Sequence, residues 1–264
     1  CLSGAVEFHK KALELGIKPI QGVEITIEGG YHLTLLAKNN LGYRNICRLL
    51  TAGFQIDRRQ PVVTWEQLQA YHQGLLVLTG CRRSALWQAL LRGKYQGALE
   101  YVNKLIRIFG RDNIYLEMIN NYLPKTKSIL AAIAELSDYT KVPIAATNEV
   151  HYLDKHDFPL YDLMVCTRTL TQLRDIHPER PLNAENYFAS PQEMEERFRQ
   201  YPQAIANTRE IAERCQISLT LNRNLFPKFP LPPGFSSAKQ LLRHLVWQGA
   251  NSRYDKITPK IKQR

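Results

Sequence analysis

A glutamate and a histidine two positions apart close an apolar segment near the middle of the chain. Residues 141–152 run from Lys141 through small and apolar side chains to Glu149 and His151. This pattern predicts a buried strand, and because alternate side chains of a strand point to one face, the two polar residues should share a face. A carboxylate and an imidazole so placed can bind a metal ion or relay a proton. A strand that simply ends in polar residues would show the same pair.

Three further residues with ligand chemistry lie at predicted strand ends, namely Glu24, His32 and Cys81. In a βα-barrel the strand ends converge on one face, so distant residues can meet in one site. A mixed set of oxygen, nitrogen and sulfur donors suits zinc or manganese better than calcium. Each residue also has a structural interpretation: His32 as a polar strand end, and Cys81 as a small buried side chain. Glu24 is flanked by apolar residues and therefore needs a partner.

The turn between the first two predicted strands decides whether two of these residues can meet. If Gly29-Gly30 formed a two-residue turn, Glu24 would project from the face opposite His32. If Glu28 joined the glycines in a three-residue loop with one left-handed glycine, Thr26 would pair with His32, and Glu24 would lie on the same side. We predict the second arrangement.

The rest of the chain alternates between strand and helix patterns, which is typical of an α/β layer or barrel. The predicted helices cover residues 6–15, 42–51, 65–71, 84–91, 95–109, 125–137, 191–201 and 202–214, and the other predicted strands cover 18–27, 31–37, 74–79 and 114–118.

Composition limits the class of protein. The 264 residues are 44% hydrophobic, which suffices for a large core. No segment approaches the ~18 consecutive apolar residues of a membrane span, and the start carries no signal-peptide pattern. The five cysteines show no CxxC spacing, which suits a reducing compartment and argues against a structural zinc knuckle. We therefore expect a cytoplasmic protein without a membrane partner.

Charge and proline content add two expectations. The net charge of +11 favours a polyanionic partner, nucleic acid first, because clustered Lys and Arg release counterions from phosphate. Four prolines between Leu225 and Gly234 predict an extended linker. Ser236-Ser237 after it can cap a helix that contains Leu241 and Leu245. Because the chain starts with Cys1 and enters a helix at once, we expect a fragment that lacks its N-terminus.

Several of these segments, taken together and in order, resemble one known family. The chain is similar to the PHP (polymerase and histidinol phosphatase) domain at the N-terminus of bacterial DNA polymerase III alpha subunits. The segments that carry the resemblance are residues 4–8, 16–24, 31–39, 78–81, 146–152, 211–215 and the 226–232 linker. The resemblance implies a distorted (β/α) barrel of TIM-barrel-like type, here without its N-terminal strand, with up to nine ligands for three metal ions.

The resemblance also assigns residues and boundaries. It implies that Glu24, His32, Cys81 and His151 are metal ligands, with Glu149 in a position where the family usually has Asp. The family's early His-x-His and Thr-Asp-His motifs fall before this start. Residues 1–224 would be the PHP domain, 225–235 a Pro-rich linker, and 236–264 the start of the polymerase palm.

Three functions follow from the resemblance. The first is a metal-dependent phosphoesterase that acts as a 3′-5′ exonuclease, with Zn or Mn ions, within a DNA-directed DNA polymerase of DNA replication. The second is an inert barrel that braces the polymerase and docks proofreading partners. The third is a free-standing metallophosphatase. The parent polymerase would use Mg for nucleotidyl transfer outside this chain, with DNA, a sliding clamp and a proofreading exonuclease as partners.

Overall fold

A computed structural model describes residues 2–221 and 229–264. The chain divides into two compact units, Cys1–Leu219 and Thr220–Arg264. The predicted boundary at 224/225 and the first part of the predicted linker fall on residues 222–228, outside the described residues, so the predicted domain limits stay a prediction.

The first unit is a mixed α/β structure around a five-stranded sheet in the order β1-β2-β3-β4-β5. The first two pairs of neighbouring strands, β1–β2 and β2–β3, are antiparallel, and the next two pairs are parallel. This topology is compatible with the expected distorted (β/α) barrel. The strands are β1 Gly22–Ile27, β2 Tyr31–Ala37, β3 Leu75–Leu78, β4 Ile114–Ile119 and β5 Ile144–Thr147.

Helices follow or separate the strands as the alternation predicts. Helix starts carry local capping signals: Thr64 and Ser190 each form a capping box with a Gln or Glu three residues later. The helices of the first unit are α1 Ala5–Glu14, α2 Asn40–Ile56, α3 Trp65–Ala70, α4 Ala85–Leu91, α5 Tyr95–Phe109, α6 Thr126–Thr140, α7 Phe158–Thr169, α8 Pro191–Arg197 and α9 Pro202–Arg214.

The predicted hairpin register is confirmed. Thr26 pairs with His32, and Glu24 pairs with Thr34. Gly29 and Gly30 both have positive φ, which allows the three-residue loop to close without steric strain. Glu24 and His32 therefore lie on the same face of the sheet.

The two faces of the sheet differ in what covers them. One face packs against helices α2 to α6 and forms the main apolar core, with fully buried residues such as Leu35, Val77 and Leu116. The other face carries a smaller cluster in which Tyr115 packs near Ile211 of α9. The pairings Glu24–Thr34, Thr34–Leu78, Leu78–Tyr115 and Glu117–Ala145 place Glu24, His32 and Glu117 on this second face.

The expectation that Glu149 and His151 share one face of a strand is wrong. Strand β5 ends at Thr147, and Glu149 has a φ of 47°, in the left-handed region. A left-handed residue turns the backbone away from the extended conformation, so the strand cannot continue through it. Both residues lie in the loop after β5.

The second unit contains α10 Ala238–Arg253 and α11 Pro259–Gln263. Ser237 caps α10 by accepting a hydrogen bond from the Gln240 N–H, as the sequence predicts. Among the described residues, 229–237 contain no helix or strand. Over residues 2–221 and 229–264, no helix combines the length and the apolar character that crossing a membrane requires.

Candidate metal centre

Three of the predicted ligands meet in one cluster. The Nδ1 atom of His32 lies 2.9 Å from Oε1 of Glu24 and 3.3 Å from Sγ of Cys81. One donor atom from each of the three residues lies within 4.8 Å of the others. Cys81 is buried, whereas 42% of the Glu24 side chain is exposed. The cluster is thus anchored inside the protein and open on its Glu24 side.

Gly80 allows the third ligand to approach the other two. It follows strand β3 and has a φ of 92°, and a Cβ atom built on it would lie 2.6 Å from the carbonyl oxygen of His32. Only glycine combines this left-handed backbone with so close an approach. The His32 N–H also donates to the Arg83 carbonyl at 3.2 Å. The turn that carries Cys81 is therefore fixed to the start of β2.

Sequence reasoning missed Glu117, a buried carboxylate on the same face of the sheet. It accepts hydrogen bonds from the Gly80 N–H at 2.9 Å and from the Thr147 hydroxyl at 2.6 Å. It therefore connects the turn that holds Cys81 with the end of β5. The available signal was an acid within the apolar strand Ile114–Ile119, the same signal that identified Glu24.

The loop after β5 brings Glu149 to the cluster. The backbone oxygen of Glu149 accepts a hydrogen bond from the Asn186 side chain at 3.1 Å, and the His151 N–H donates to the Asn186 carbonyl at 2.8 Å. The Glu149 carboxylate interacts with the Cys81 side chain. His151 lies outside the three-residue cluster but interacts electrostatically with Glu24.

A buried ion pair that the sequence did not indicate holds this loop. The Arg197 side chain donates to Asn148 at 2.8 Å and to the Glu185 carboxylate at 2.9 Å. Only 4% of the Arg197 side chain is exposed, and Lys155 also pairs with Glu185. Asn148 in turn donates to two backbone carbonyls of the 185–187 segment. The position of Glu149 thus depends on residues 185 to 197.

The electrostatics are those of carboxylates and a thiol crowded together. Burial would raise the pKa of Glu24, but the hydrogen bond and charge of His32 outweigh it and lower the pKa. Burial raises the pKa of the Cys81 thiol, and the negative charges of Glu149 and Glu24 raise it further. Burial also raises the pKa of Glu149, with a further contribution from Glu24.

Two more groups titrate abnormally. Burial raises the pKa of Glu117 to about 7 against its two hydrogen bonds, and the charges of Glu149 and Glu24 add to the rise. Burial lowers the pKa of His151, which keeps its ring neutral at pH 7. The ring stacks on Tyr161 with centroids 4.9 Å apart. A neutral imidazole can coordinate a metal or accept a proton.

The donor set fits a divalent ion. The carboxylate of Glu24, the imidazole of His32 and the thiol of Cys81 converge. The Glu24 carboxylate and the Cys81 sulfur repel each other when both are ionised. A nearby dication stabilises both anions and lowers the pKa of a coordinating thiol. A set with a thiolate and an imidazole favours zinc over magnesium or calcium.

Comparison with known proteins agrees with this geometry. Residues 1–121 match the family model described as "PHP domain". This stretch belongs to the PHP domain family. The PHP match contains Glu24, His32 and Cys81, whereas Glu149 and His151 lie after it. PHP domains generally bind metal ions, and the three-residue cluster lies in the matched part.

The whole chain is also similar to polymerase sequences. It is 41% identical over 281 residues to an error-prone DNA polymerase of Symbiobacterium thermophilum. The aligned region covers 100% of this chain and 26% of that protein. It is 34% identical to the DNA polymerase III subunit alpha of Thermus aquaticus, over 97% of this chain and 23% of that protein. It is 31% identical to the DNA polymerase III subunit alpha of Treponema pallidum, over 99% of this chain and 24% of that protein. The chain spans about a quarter of the length of these curated relatives.

Proposed function

We propose that this chain is the PHP region of a DNA-directed DNA polymerase of the kind its relatives are named for, and that its metal centre hydrolyses the terminal phosphodiester of a DNA strand. The observation that carries the proposal is the convergence of Glu24, His32 and Cys81 from three strands or their ends. The similarity of the full chain to polymerases supports this assignment over a free-standing metallophosphatase.

In this proposal Glu24, His32 and Cys81 would hold the first ion, Zn or Mn. Glu149 and His151 would extend the ligand set toward further ions. Such ions neutralise charge on phosphate oxygens and lower the pKa of bound water. Glu117 does not reach the substrate. It holds the turn that carries Cys81 against the end of β5 through its two hydrogen bonds.

The reaction is a hydrolysis that needs no further reagent. Water forms a new bond to the phosphorus of the last linkage, and the bond from phosphorus to the 3′ oxygen breaks. The products are a strand with a 3′ hydroxyl and a 5′ mononucleotide. The attacking water gives up its proton to solvent, and the departing 3′ oxygen takes up a proton from solvent.

The partners proposed for the whole protein follow from its relatives and its charge. A net charge of +11 suits a DNA partner. In the parent polymerase, in DNA replication, nucleotidyl transfer would use Mg held by carboxylates of the palm. A sliding clamp and a proofreading exonuclease are the further subunits proposed to contact the whole protein.

One observation favours a structural alternative, in which the centre only braces the barrel. His32 already contacts both Glu24 and Cys81, so these side chains link β1, β2 and the end of β3 by themselves. Glu149 is in addition one methylene longer than the Asp usual in this family. In this alternative the cluster contributes stability and no hydrolysis.

The test is a nuclease assay and a metal analysis of the full-length protein with Cys81→Ser. For the metal analysis the protein is loaded with cobalt(II), whose bond to a thiolate gives a charge-transfer absorption. Cys81→Ser should remove this absorption and lower the rate of 3′-end hydrolysis at least about a hundredfold. Cys47→Ser, in helix α2 and away from the centre, is the control. Stoichiometric metal with no hydrolysis in the unaltered protein would refute the nuclease and favour the brace.

A further inference from the structure

The turn after Cys81 carries two arginines that the metal centre does not use as ligands. Arg82 is half-buried and Arg83 is exposed. Among the described residues, neither guanidinium group forms a hydrogen bond or ion pair, in contrast to Arg197 and Arg180, whose guanidinium groups are both paired. Two unpaired cations therefore follow directly on a candidate metal ligand.

The backbone of this turn is rigid. The Cys81 carbonyl accepts a hydrogen bond from the Ser84 N–H at 2.8 Å, and the Arg82 carbonyl accepts one from the Gln88 side chain at 2.8 Å. The Arg83 carbonyl accepts the bond from the His32 N–H at 3.2 Å. Three consecutive carbonyl groups are thus fixed, so the bases of both arginine side chains have set positions beside the centre.

Each arginine acts electrostatically on one nearby carboxylate, Arg82 on Glu149 of the centre and Arg83 on Glu179. Burial raises the pKa of Glu149, and Arg82 is one of the cations that oppose this rise. The hydrogen bond from Arg168 is the main cause that lowers the pKa of Glu179, and the charge of Arg83 contributes to it. The charge of Arg82 therefore acts on a candidate ligand, and that of Arg83 on a carboxylate of the segment 170–190.

We propose that Arg82 and Arg83 bind neighbouring phosphates of a single DNA strand and hold its end at the metal centre. Guanidinium groups bind phosphate through paired, charge-assisted hydrogen bonds, which a lysine cannot reproduce. Two adjacent arginines suit a chain of phosphates better than one isolated anion. This inference rests on the proposed function, because it assumes that the nearby ligands hold an ion.

The experiment uses the full-length protein loaded with cobalt(II) and a tetrathymidylate whose linkages are phosphorothioates that resist hydrolysis. The change in the cobalt–thiolate absorption reports binding at this centre and not at any other DNA-binding surface. Arg82→Gln/Arg83→Gln should weaken binding at least about tenfold. The slope of log K against log salt should become shallower by about 1.4 for two lost phosphate contacts on a single strand.

The chain offers a control in another pair of adjacent arginines, the exposed Arg58 and Arg59 in the loop after α2. Arg58→Gln/Arg59→Gln removes the same charge and should leave the tetrathymidylate affinity at this centre unchanged. Inorganic phosphate is the second probe, and the Arg82/Arg83 variant should weaken its binding less than that of the tetrathymidylate.

The outcomes separate the two proposals. If the unaltered protein shows no cobalt–thiolate absorption, the proposed metal centre fails. If the absorption is present but the Arg82/Arg83 variant binds tetrathymidylate as tightly as the unaltered protein, the arginine inference alone fails. Equal losses for phosphate and tetrathymidylate would show a site for a single phosphate group and would overturn the assignment to a DNA strand.

Discussion

Glu117→Gln is a test of the buried carboxyl beneath the metal centre. The substitution keeps the shape of the side chain, and the glutamine oxygen can still accept the hydrogen bond from the Gly80 N–H. It removes the titrating group, whose pKa burial raises from an ordinary 4.5 to about 7. This rise means that ionising the Glu117 carboxyl costs about 3 kcal/mol more in the folded protein than in the unfolded chain.

The sign of the effect follows from the direction of the shift. Because the folded protein binds the proton more tightly than the unfolded chain, the stabilisation is fully present below pH 4.5 and is lost as the pH rises through about 7. The unaltered chain should therefore lose about 3 kcal/mol of unfolding free energy relative to Glu117→Gln between pH 4.5 and pH 8. Bound metal would reduce this loss, because a cation favours the carboxylate.

The assay is urea unfolding of the chain in a chelator at several pH values, followed by tryptophan fluorescence, to which the buried Trp87 contributes. Glu100→Gln, at an exposed position of α5, is the control and should show no such pH-dependent difference. Parallel stability curves for Glu117→Gln and the unaltered chain would refute the argument, since they would mean that Glu117 titrates as an ordinary carboxyl.

Three further substitutions test how the centre is held. Arg197→Met should lower thermal stability by about 2 kcal/mol in calorimetry, because it removes the donor to Asn148 and one of the two cations that pair with the largely buried Glu185; an unchanged melting temperature would contradict this. Gly80→Ala should weaken zinc binding at least about tenfold in competition titrations, since its Cβ would overlap a carbonyl of β2. Gly93→Ala carries a similar left-handed strain with no neighbour within 4 Å and should leave zinc affinity unchanged. Glu149→Asp should raise the metal content measured by mass spectrometry in the full-length protein, because Asp is shorter and tolerates a φ of 47° better; no increase would favour the structural brace.

The hairpin shows how far local sequence information extends. The spacing of residues between the two strands, with glycines able to adopt positive φ, was enough to predict that Thr26 faces His32 and that Glu24 lies beside them. The position of Cys81 at the end of a strand could likewise be predicted, because a short apolar run ends there. These features depend on turn chemistry and side-chain alternation, which neighbouring residues determine.

The segment after β5 shows where such reasoning fails. An extended strand through Glu149 was the natural expectation from its apolar neighbours, but Asn148 and Glu149 are held by Arg197 and Asn186, which lie far along the chain. These distant contacts support the left-handed backbone at Glu149.

The sequence by itself determined the alternating architecture, the hairpin register and three residues of the candidate centre, because periodicity and turn composition act over a few residues. Only the tertiary structure decided that Glu117 joins the turn of Cys81 to the end of β5 and that a left-handed loop brings Glu149 to the thiol. It also decided that Arg82 and Arg83 stand on a turn fixed against β2. These arrangements depend on hydrogen bonds between segments distant in sequence, and such pairings leave no local pattern from which they can be predicted.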